Sequence, residues 1–202
     1  MLEPTVFIVD DDQAVRESLQ FLLESEDLQV ESFDSAERFL EGYTIYRVGC
    51  LLLDIRMPGM SGLELQKELS KHRFSLPIII ISGHGDIPIT VRAMRHGAMD
   101  FLEKPFNNED LLDRVKNALQ RDVDNQRKRM QLGSIRARLE NLTHRERQVM
   151  ELVVKDNPNK MIANELGVCI KTVEFHRARV MEKMHANSLL HLVSMVREVA
   201  SF

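Results

Sequence analysis

The sequence contains few cysteines and no long apolar run. Cys50 and Cys169 are its two cysteines, and they lie far apart, so the sequence supports neither a disulfide framework nor a CxxC metal site. The longest apolar runs hold about four or five residues, too few for a helix to cross a bilayer. The first 12 residues have neither a basic segment nor a long apolar core, so no signal peptide is predicted. These features favour a cytoplasmic protein with no membrane partner.

Positive charge is scarce in the first part of the chain. Residues 1–120 contain 12 Lys and Arg against 21 Asp and Glu, a net charge of −9. Residues 121–202 contain 15 against 10, a net charge of +5. This division predicts an acidic first domain and a second that can meet nucleic acid, although two differently charged surfaces of any globular protein would give the same totals.

The first 120 residues alternate between short apolar runs and segments with helical periodicity. Strands are predicted at residues 5–9, 28–33, 50–54, 77–82 and 99–105. Helices are predicted between them and after Asn107, which has the character of a helix cap. Continuous apolar strands that alternate with helices indicate a parallel sheet covered on both faces. The expected fold class is therefore α/β, with a five-stranded, doubly wound parallel sheet.

Polar side chains follow the predicted strands. Asp10 and Asp11 come after the first strand, Asp54 ends the third, Ser82 ends the fourth and Lys104 ends the fifth. Ligands of such sheets bind beyond the carboxyl ends of the strands, so these side chains are expected to share one crevice. Taken singly, an Asp after a strand is often only a turn former or a helix cap.

The residue types in this crevice suit phosphoryl transfer. Neighbouring carboxylates repel one another, and a hard divalent cation with oxygen ligands, most suitably Mg²⁺, relieves that repulsion. A metal-bound carboxylate beside an ammonium can receive a phosphoryl group, because the two cations neutralise the transferred oxygens. The sequence therefore predicts Asp54 as the acceptor, with Ser82 donating a hydrogen bond to a phosphoryl oxygen. Asp12 is interpreted as the cap of the first helix.

The motifs IVDDD, LLLDIRMPG, ISGHGD and FLEKPF, in this order, resemble the receiver domain of two-component response regulators over residues 1–122. The resemblance implies the flavodoxin-like strand order 2-1-3-4-5 and phosphorylation of Asp54 by a sensor histidine kinase. It implies Mg²⁺ as the cofactor, with metal ligands from Asp11, Asp54 and the carbonyl of Arg56, and with Asp10 acting through water. It also implies a cis peptide between Lys104 and Pro105.

The same resemblance implies how the phosphoryl group is sensed. Ser82 fills the position of the switch hydroxyl, Phe101 that of the switch aromatic residue and Lys104 that of the phosphate-binding lysine. Phe101 has no hydroxyl, unlike the commoner Tyr, and it also suits an ordinary core position. The phosphorylated chain is expected to form a homodimer through the fourth helix and fifth strand, by way of Val91, Arg95, Met99 and Asp100.

Residues 123–140 are predicted to be a helical linker with a break near Gly133 and Ser134, and residues 141–202 a second, all-α domain. Thr143 and Glu146 have the spacing of a capping box. Asn157 is expected to cap the next helix, with Pro158 at its first position. A short helix, a turn and a helix with basic outer residues indicate a helix-turn-helix. On periodicity alone, a four-helix interaction module fits equally well.

The motifs LTHRERQVMELV, NKMIANELGV and KTVEFHRARVMEKM resemble the LuxR-type helix-turn-helix. Joined to a receiver, this places the chain in the NarL/FixJ class, which implies promoter DNA and RNA polymerase as partners. By position, Glu174, Phe175 and Ala178 would face base edges, Glu174 accepting from a cytosine amino group and Ala178 touching a thymine methyl. Four further residues would contact phosphates, namely Lys171, Thr172, Arg177 and Arg179. Cys169 stands where that helix usually has a capping serine.

Two other classes of function were considered. A haloacid-dehalogenase-type phosphatase would use Asp10 and Asp12 as nucleophile and acid, but Ala14 stands where that class usually has Thr or Val. A simple interaction adaptor explains neither the uneven charge nor the basic helix. The chain is therefore expected to be a regulator that binds DNA under phosphorylation control, and no enzyme.

Overall fold

In the computed structural model the chain divides into two compact units, Met1–Gln126 and Arg127–Phe202. The structure describes residues 4–44, 47–71, 76–83 and 87–200, without the side chain of Ile87. Two core clusters lie in the first unit and a third comprises residues of the second. Each unit therefore has apolar packing of its own.

The first unit is a parallel sheet with helices between its strands. The strands are β1 (Thr5–Val9), β2 (Gln29–Phe33), β3 (Gly49–Asp54), β4 (Ile78–Ser82) and β5 (Asp100–Glu103). The helices are α1 (Gln13–Glu24), α2 (Ala36–Gly42), α3 (Gly62–Ser70), α4 (Ile87–Arg95) and α5 (Asn108–Glu140). The strand order is β2-β1-β3-β4-β5 and every neighbouring pair is parallel. The predicted α/β class and strand order are confirmed.

Apolar residues on both faces of the strands explain why the sheet is covered on both sides. Alternate side chains of a strand point to opposite faces. Phe7 and Leu51 accordingly belong to one core cluster, and Ile8 and Leu52 to the other. All residues of β1, β3 and β4 are buried, including Asp54 and Ser82 at the carboxyl ends of β3 and β4.

A buried carboxylate ties α5 to the opposite end of the sheet. Asp122 is 1% exposed, and its Oδ2 accepts a hydrogen bond of 2.9 Å from the amide of Gly49 at the start of β3. Gly49 itself lies close to β1, where an added Cβ would come 1.8 Å from the carbonyl oxygen of Thr5. These contacts at the start of β3 help to fix its register, and therefore also the position of Asp54 at its other end.

Two expectations about helix ends and continuity can be compared with the structure. Asp12 caps α1, and its Oδ1 accepts from the amide of Ala14 at 2.8 Å, as predicted. The predicted break near Gly133 is wrong, because α5 is one helix of 33 residues. A single Gly costs a helix about 1 kcal/mol, which the buried residues on either side of it, Leu132 and Ile135, outweigh. Residues 84–86 of the ISGHGD motif lie outside the described residues.

The second unit contains the end of α5 and four further helices, α6 (His144–Val154), α7 (Asn159–Leu166), α8 (Ile170–Lys183) and α9 (Leu189–Ala200). Thr143 and Glu146 form the predicted capping box of α6. The predicted start of α7 is wrong by one residue, because Pro158 lies at the N-cap and Asn157 before it. Pro158 has extended backbone angles, φ −70° and ψ 152°, and so stands outside the helix it precedes.

Candidate functional site

The carboxyl ends of β1, β3 and β5 bring two carboxylates and an ammonium together. Asp10 is 3% exposed and Asp54 is 8% exposed. Lys104 Nζ lies 2.7 Å from Asp10 Oδ2 and 2.9 Å from Asp54 Oδ1. Neither carboxylate would be stable here as an unpaired charge, so Lys104 makes their burial possible. Three of the residues predicted to share a crevice are therefore in direct contact, with Lys104 between the two carboxylates.

Backbone groups hold the other oxygens of this pair. The amide of Asp12 donates to Asp10 Oδ1 at 2.9 Å, and the amide of Arg56 donates to Asp54 Oδ2 at 2.6 Å. Arg16 adds a contact that sequence reasoning missed, since its Nη1 donates to the carbonyl oxygen of Asp10 at 2.7 Å. Each acidic side chain is thus bound through both oxygens. The arrangement fixes the carboxylates before any ligand arrives.

Burial and the central ammonium act against each other on the pKa values. Desolvation raises the pKa of Asp54 above that of an exposed Asp, and the hydrogen bond from Lys104 offsets this only in part. Burial alone would lower the pKa of Lys104, but the hydrogen bonds to Asp10 and Asp54 outweigh it, so that the pKa is raised. Lys104 therefore stays charged, while Asp54 holds a proton more readily than an ordinary Asp.

The remaining predicted residues of the site occupy different environments. Asp11 and Arg56 are exposed, and Ser82 is buried at the end of β4. Among the described residues, no three His, Cys, Asp or Glu side chains are grouped as metal ligands. The structure therefore unites Asp10 and Asp54 through Lys104, while Asp11 does not join them in a cluster.

Phe101 is half-buried and packs against the core cluster that contains Phe7. The side chains predicted for a dimer face differ in exposure. Val91 and Arg95 are exposed on α4, whereas Met99 is half-buried against the second core cluster. Asp100 forms an ion pair with Arg114 of α5 in the same chain. Two of the four predicted side chains are thus available and two already have partners.

Helix α8 presents a mixed polar and aromatic face. Val173 and Val180 are 0% and 1% exposed and fix the buried side of the helix. The opposite side exposes most of the residues predicted to meet DNA, namely Lys171, Glu174, Phe175, Ala178 and Arg179. Thr172 and Arg177 are half-buried at its edges. The buried positions recur at helical spacing, which leaves the predicted DNA-contacting residues on the outer side of the helix.

Contacts on α8 organise its basic side chains. Arg177 Nη1 donates to Asn159 Oδ1 of α7 at 3.0 Å, a contact that sequence reasoning missed. Arg179 lies over the ring of Phe175, with 5.8 Å between its Cζ and the ring centre. Cys169, at the N-cap position of α8, makes no capping hydrogen bond with its side chain; its Sγ lies 3.2 Å from Thr172 Oγ1. Arg177 is therefore held by its neighbour helix, whereas Arg179 rests on an exposed ring.

Within the described part of the chain, no helix is long and apolar enough to span a membrane. Two family models match the sequence. Residues 6–116 match the response regulator receiver domain, and residues 140–196 match the bacterial regulatory proteins of the luxR family.

Relatives match over nearly the whole chain. The transcriptional regulatory protein FixJ of Azorhizobium caulinodans is 46% identical over 190 residues, 94% of this chain and 90% of that protein. The response regulator protein TodT of Pseudomonas putida is 42% identical over 188 residues, 93% of this chain and 83% of that protein.

Solved structures give the same result. The response regulator StyR has a TM-score of 0.88 and 46% identity, covering 97% of this chain and 99% of that chain. Full-length FixJ from B. japonicum has a TM-score of 0.59 and 40% identity, covering 100% of both chains. FixJ is named as a transcriptional regulatory protein, and TodT and StyR are named as response regulators, so the comparisons favour a regulator over the phosphatase alternative. The chain belongs to the two-component response regulators of the NarL/FixJ class, and it is a transcription regulator, not an enzyme, that joins a receiver domain to a LuxR-type DNA-binding domain.

Proposed function

We propose that Asp54 accepts a phosphoryl group from a phosphohistidine of a sensor histidine kinase, and that this controls promoter binding in the cytoplasm. The observation that carries the proposal is the placement of Lys104 between Asp10 and Asp54 at the carboxyl edge of the sheet. An ion pair with a purely structural role would need only one carboxylate for the Lys104 ammonium. Two buried carboxylates around a single ammonium instead suit a site at which one cation is exchanged for another.

The residues present fit a magnesium ion. Mg²⁺ is usually bound through one or two carboxylates and keeps several waters, so a three-carboxylate cage is unnecessary. Asp54, Asp11 and the carbonyl of Arg56 would be its ligands, with Asp10 acting through water. When bound, the metal would neutralise charge on the oxygens of the phosphoryl group.

The transfer step is an exchange of bonds at phosphorus. An oxygen of Asp54 attacks, the bond from phosphorus to the histidine nitrogen of the kinase breaks, and that nitrogen keeps the electron pair. The amide of Arg56 holds Asp54 Oδ2 while this occurs. Lys104 leaves its carboxylate contacts for the transferred oxygens, and Ser82 donates its hydroxyl to one of them.

The kinase needs a surface beside Asp54. Phe21 on α1 is 78% exposed and lines a groove together with Ser18, Pro105 and Phe106, next to Lys104. An exposed ring of this size is typical of a contact residue in a protein interface. The kinase is proposed to dock here, because Lys104, which contacts Asp54, also lines the groove.

The second unit is proposed to read promoter DNA through α8 in the major groove. Glu174, Phe175 and Ala178 face base edges, and the basic residues of α8 contact phosphates. Phosphorylation is proposed to favour a homodimer through α4 and β5, so that two copies of α8 bind one promoter. RNA polymerase is the expected partner at that promoter.

Labelling with a small phosphodonor and with a sensor kinase tests the acceptor. Wild type should take up one equivalent of base-labile phosphate in Mg²⁺, Asp54→Asn should take up none, and the surface control Asp113→Asn should match wild type. Phe21→Ala should slow labelling by the kinase and leave labelling by the small donor unchanged. Equal labelling of Asp54→Asn would refute the acceptor assignment.

A further inference from the structure

A carboxylate on α2 holds the loop that follows Asp54. The loop spans residues 55–61, between β3 and α3. Glu37 Oε1 accepts a hydrogen bond of 2.9 Å from the amide of Met60, which lies 23 residues further along the chain. The loop is thereby tied to α2, a helix that is not adjacent to it in the chain.

This contact differs from the usual role of an acidic residue at a helix start. Glu37 lies in the first turn of α2, where a carboxylate commonly stabilises the amides of its own helix. Here the carboxylate accepts from another loop instead. The loop approaches so closely that a Cβ at Gly59 would lie 2.8 Å from Glu37 Oε1. Gly59 also has φ +75°, a backbone conformation that favours glycine.

Both ends of the same loop meet at the acceptor. The amide of Gly62 donates to the carbonyl of Ile55 at 3.0 Å. A Cβ at Gly62 would come 2.1 Å from the carbonyl oxygen of Asp54, so the start of α3 packs directly on the acceptor's backbone. The amide of Arg56 binds Asp54 Oδ2. Both ends of the loop are thus held at Asp54, and Glu37 holds Met60 between them.

We propose that Glu37 is a positioning residue for the magnesium site. By holding Met60 it restricts the loop that carries the carbonyl of Arg56, and so keeps that carbonyl and Asp54 arranged for one cation. The inference rests on the proposed function, since it assumes that Mg²⁺ binds at Asp54. It assigns a role to a side chain on α2, an element that supplies none of the proposed ligands.

Three variants separate the hydrogen bond from the charge. Glu37→Ala removes both, Glu37→Gln keeps an acceptor oxygen and removes the charge, and Glu41→Ala removes an exposed carboxylate elsewhere on α2. Glu37→Ala should weaken Mg²⁺ binding about two- to tenfold, the range that one intramolecular hydrogen bond supplies. Glu37→Gln and Glu41→Ala should bind Mg²⁺ like wild type.

The measurements are calorimetric titration of the full-length protein with Mg²⁺ alone and hydrogen exchange of the Met60 amide without metal. Faster exchange at Met60 together with weaker Mg²⁺ binding in Glu37→Ala alone supports the proposal. Equal Mg²⁺ affinity of Glu37→Ala and wild type overturns it, as does an equal loss in Glu37→Gln, which would make charge the cause. If wild type binds no Mg²⁺, the proposed function fails instead.

Discussion

At the scale of single residues, Lys104 decides the electrostatics of the receiver. Its ammonium is the one group that contacts Asp10 and Asp54 together among the described side chains. Even so, the pKa of Asp54 stays raised because its burial outweighs the pairing. Ionisation of Asp54 therefore costs folding free energy, as is common for reactive groups.

A prediction about stability and pH follows from the raised pKa of Asp54. The folded state holds the Asp54 proton more tightly than the unfolded chain, so stability is lost as the pH rises from the unfolded pKa through the folded one. Asp54→Asn resembles the protonated form. It should raise the free energy of unfolding at pH 7, and the gain should shrink towards acid pH. Denaturant unfolding at several pH values measures this; a gain equal at every pH, or one shared by Asp113→Asn, would contradict it.

Asn159 provides a second prediction at this scale. Its Oδ1 holds Arg177, which the proposal assigns to a phosphate contact. Asn159→Ala should weaken DNA binding about two- to tenfold for all sequences, and should add nothing when Arg177 is already Ala. Binding assays of the single and double variants test this, with Asn164→Ala on the exposed side of α7 as control. Additive losses would mean that Asn159 acts independently of Arg177.

At the scale of elements, α5 belongs to two cores. Leu111 and Val115 are buried in the first unit, whereas Ile135 is 3% exposed in the core cluster that also contains Val149. A segment predicted from its charges as a linker thus supplies core residues to the second unit. Charge pattern reports which faces are solvated, but it does not show which few apolar residues of a helix are buried.

A prediction about fragments follows. A protein of residues 127–202 should be more stable than one of residues 140–202 by about 1.5–3 kcal/mol, the range for burying one large aliphatic side chain such as Ile135. Replacing Ile135 by Ala within the longer fragment should remove much of its extra stability. Replacing the exposed Met130 by Ala should not. Thermal and denaturant unfolding measure both effects. Equal stability of the two fragments would show that the end of α5 is dispensable.

At the scale of the whole molecule, the sequence predicted what recurs along the chain and failed where distant segments meet. The strands and the polar residues at their carboxyl ends followed from apolar runs that end in polar residues, whereas the strand order followed from the resemblance to receiver domains. Glu37 escaped prediction because nothing in its local pattern indicates the loop, 23 residues further along the chain, that it contacts. The start of α7 was misplaced because Pro suits both the N-cap and the first helical position, and only backbone angles distinguish them.

Communication between receiver and output domain is the prediction that belongs to the whole chain. The unphosphorylated full-length chain should bind promoter DNA weakly, and the fragment of residues 127–202 should bind it better. If about a tenth of the molecules are competent, removing the receiver should gain about tenfold. Phosphorylation of the whole chain should give a similar gain and a heavier species in sedimentation. No gain from removing the receiver would favour control by dimerisation alone.

The contact of Lys104 with two carboxylates affects how a metal cation would bind at this site. Under the proposed function, Mg²⁺ at Asp54 would compete with a cation that the chain supplies itself. One ammonium offsets only part of the negative charge of two carboxylates, so the site would still attract a divalent cation. The competition would lower the affinity for Mg²⁺, and the ammonium displaced from Asp54 would become available to the incoming phosphoryl group. In the proposed mechanism, Lys104 therefore pairs with Asp54 before the transfer and with the phosphoryl oxygens after it.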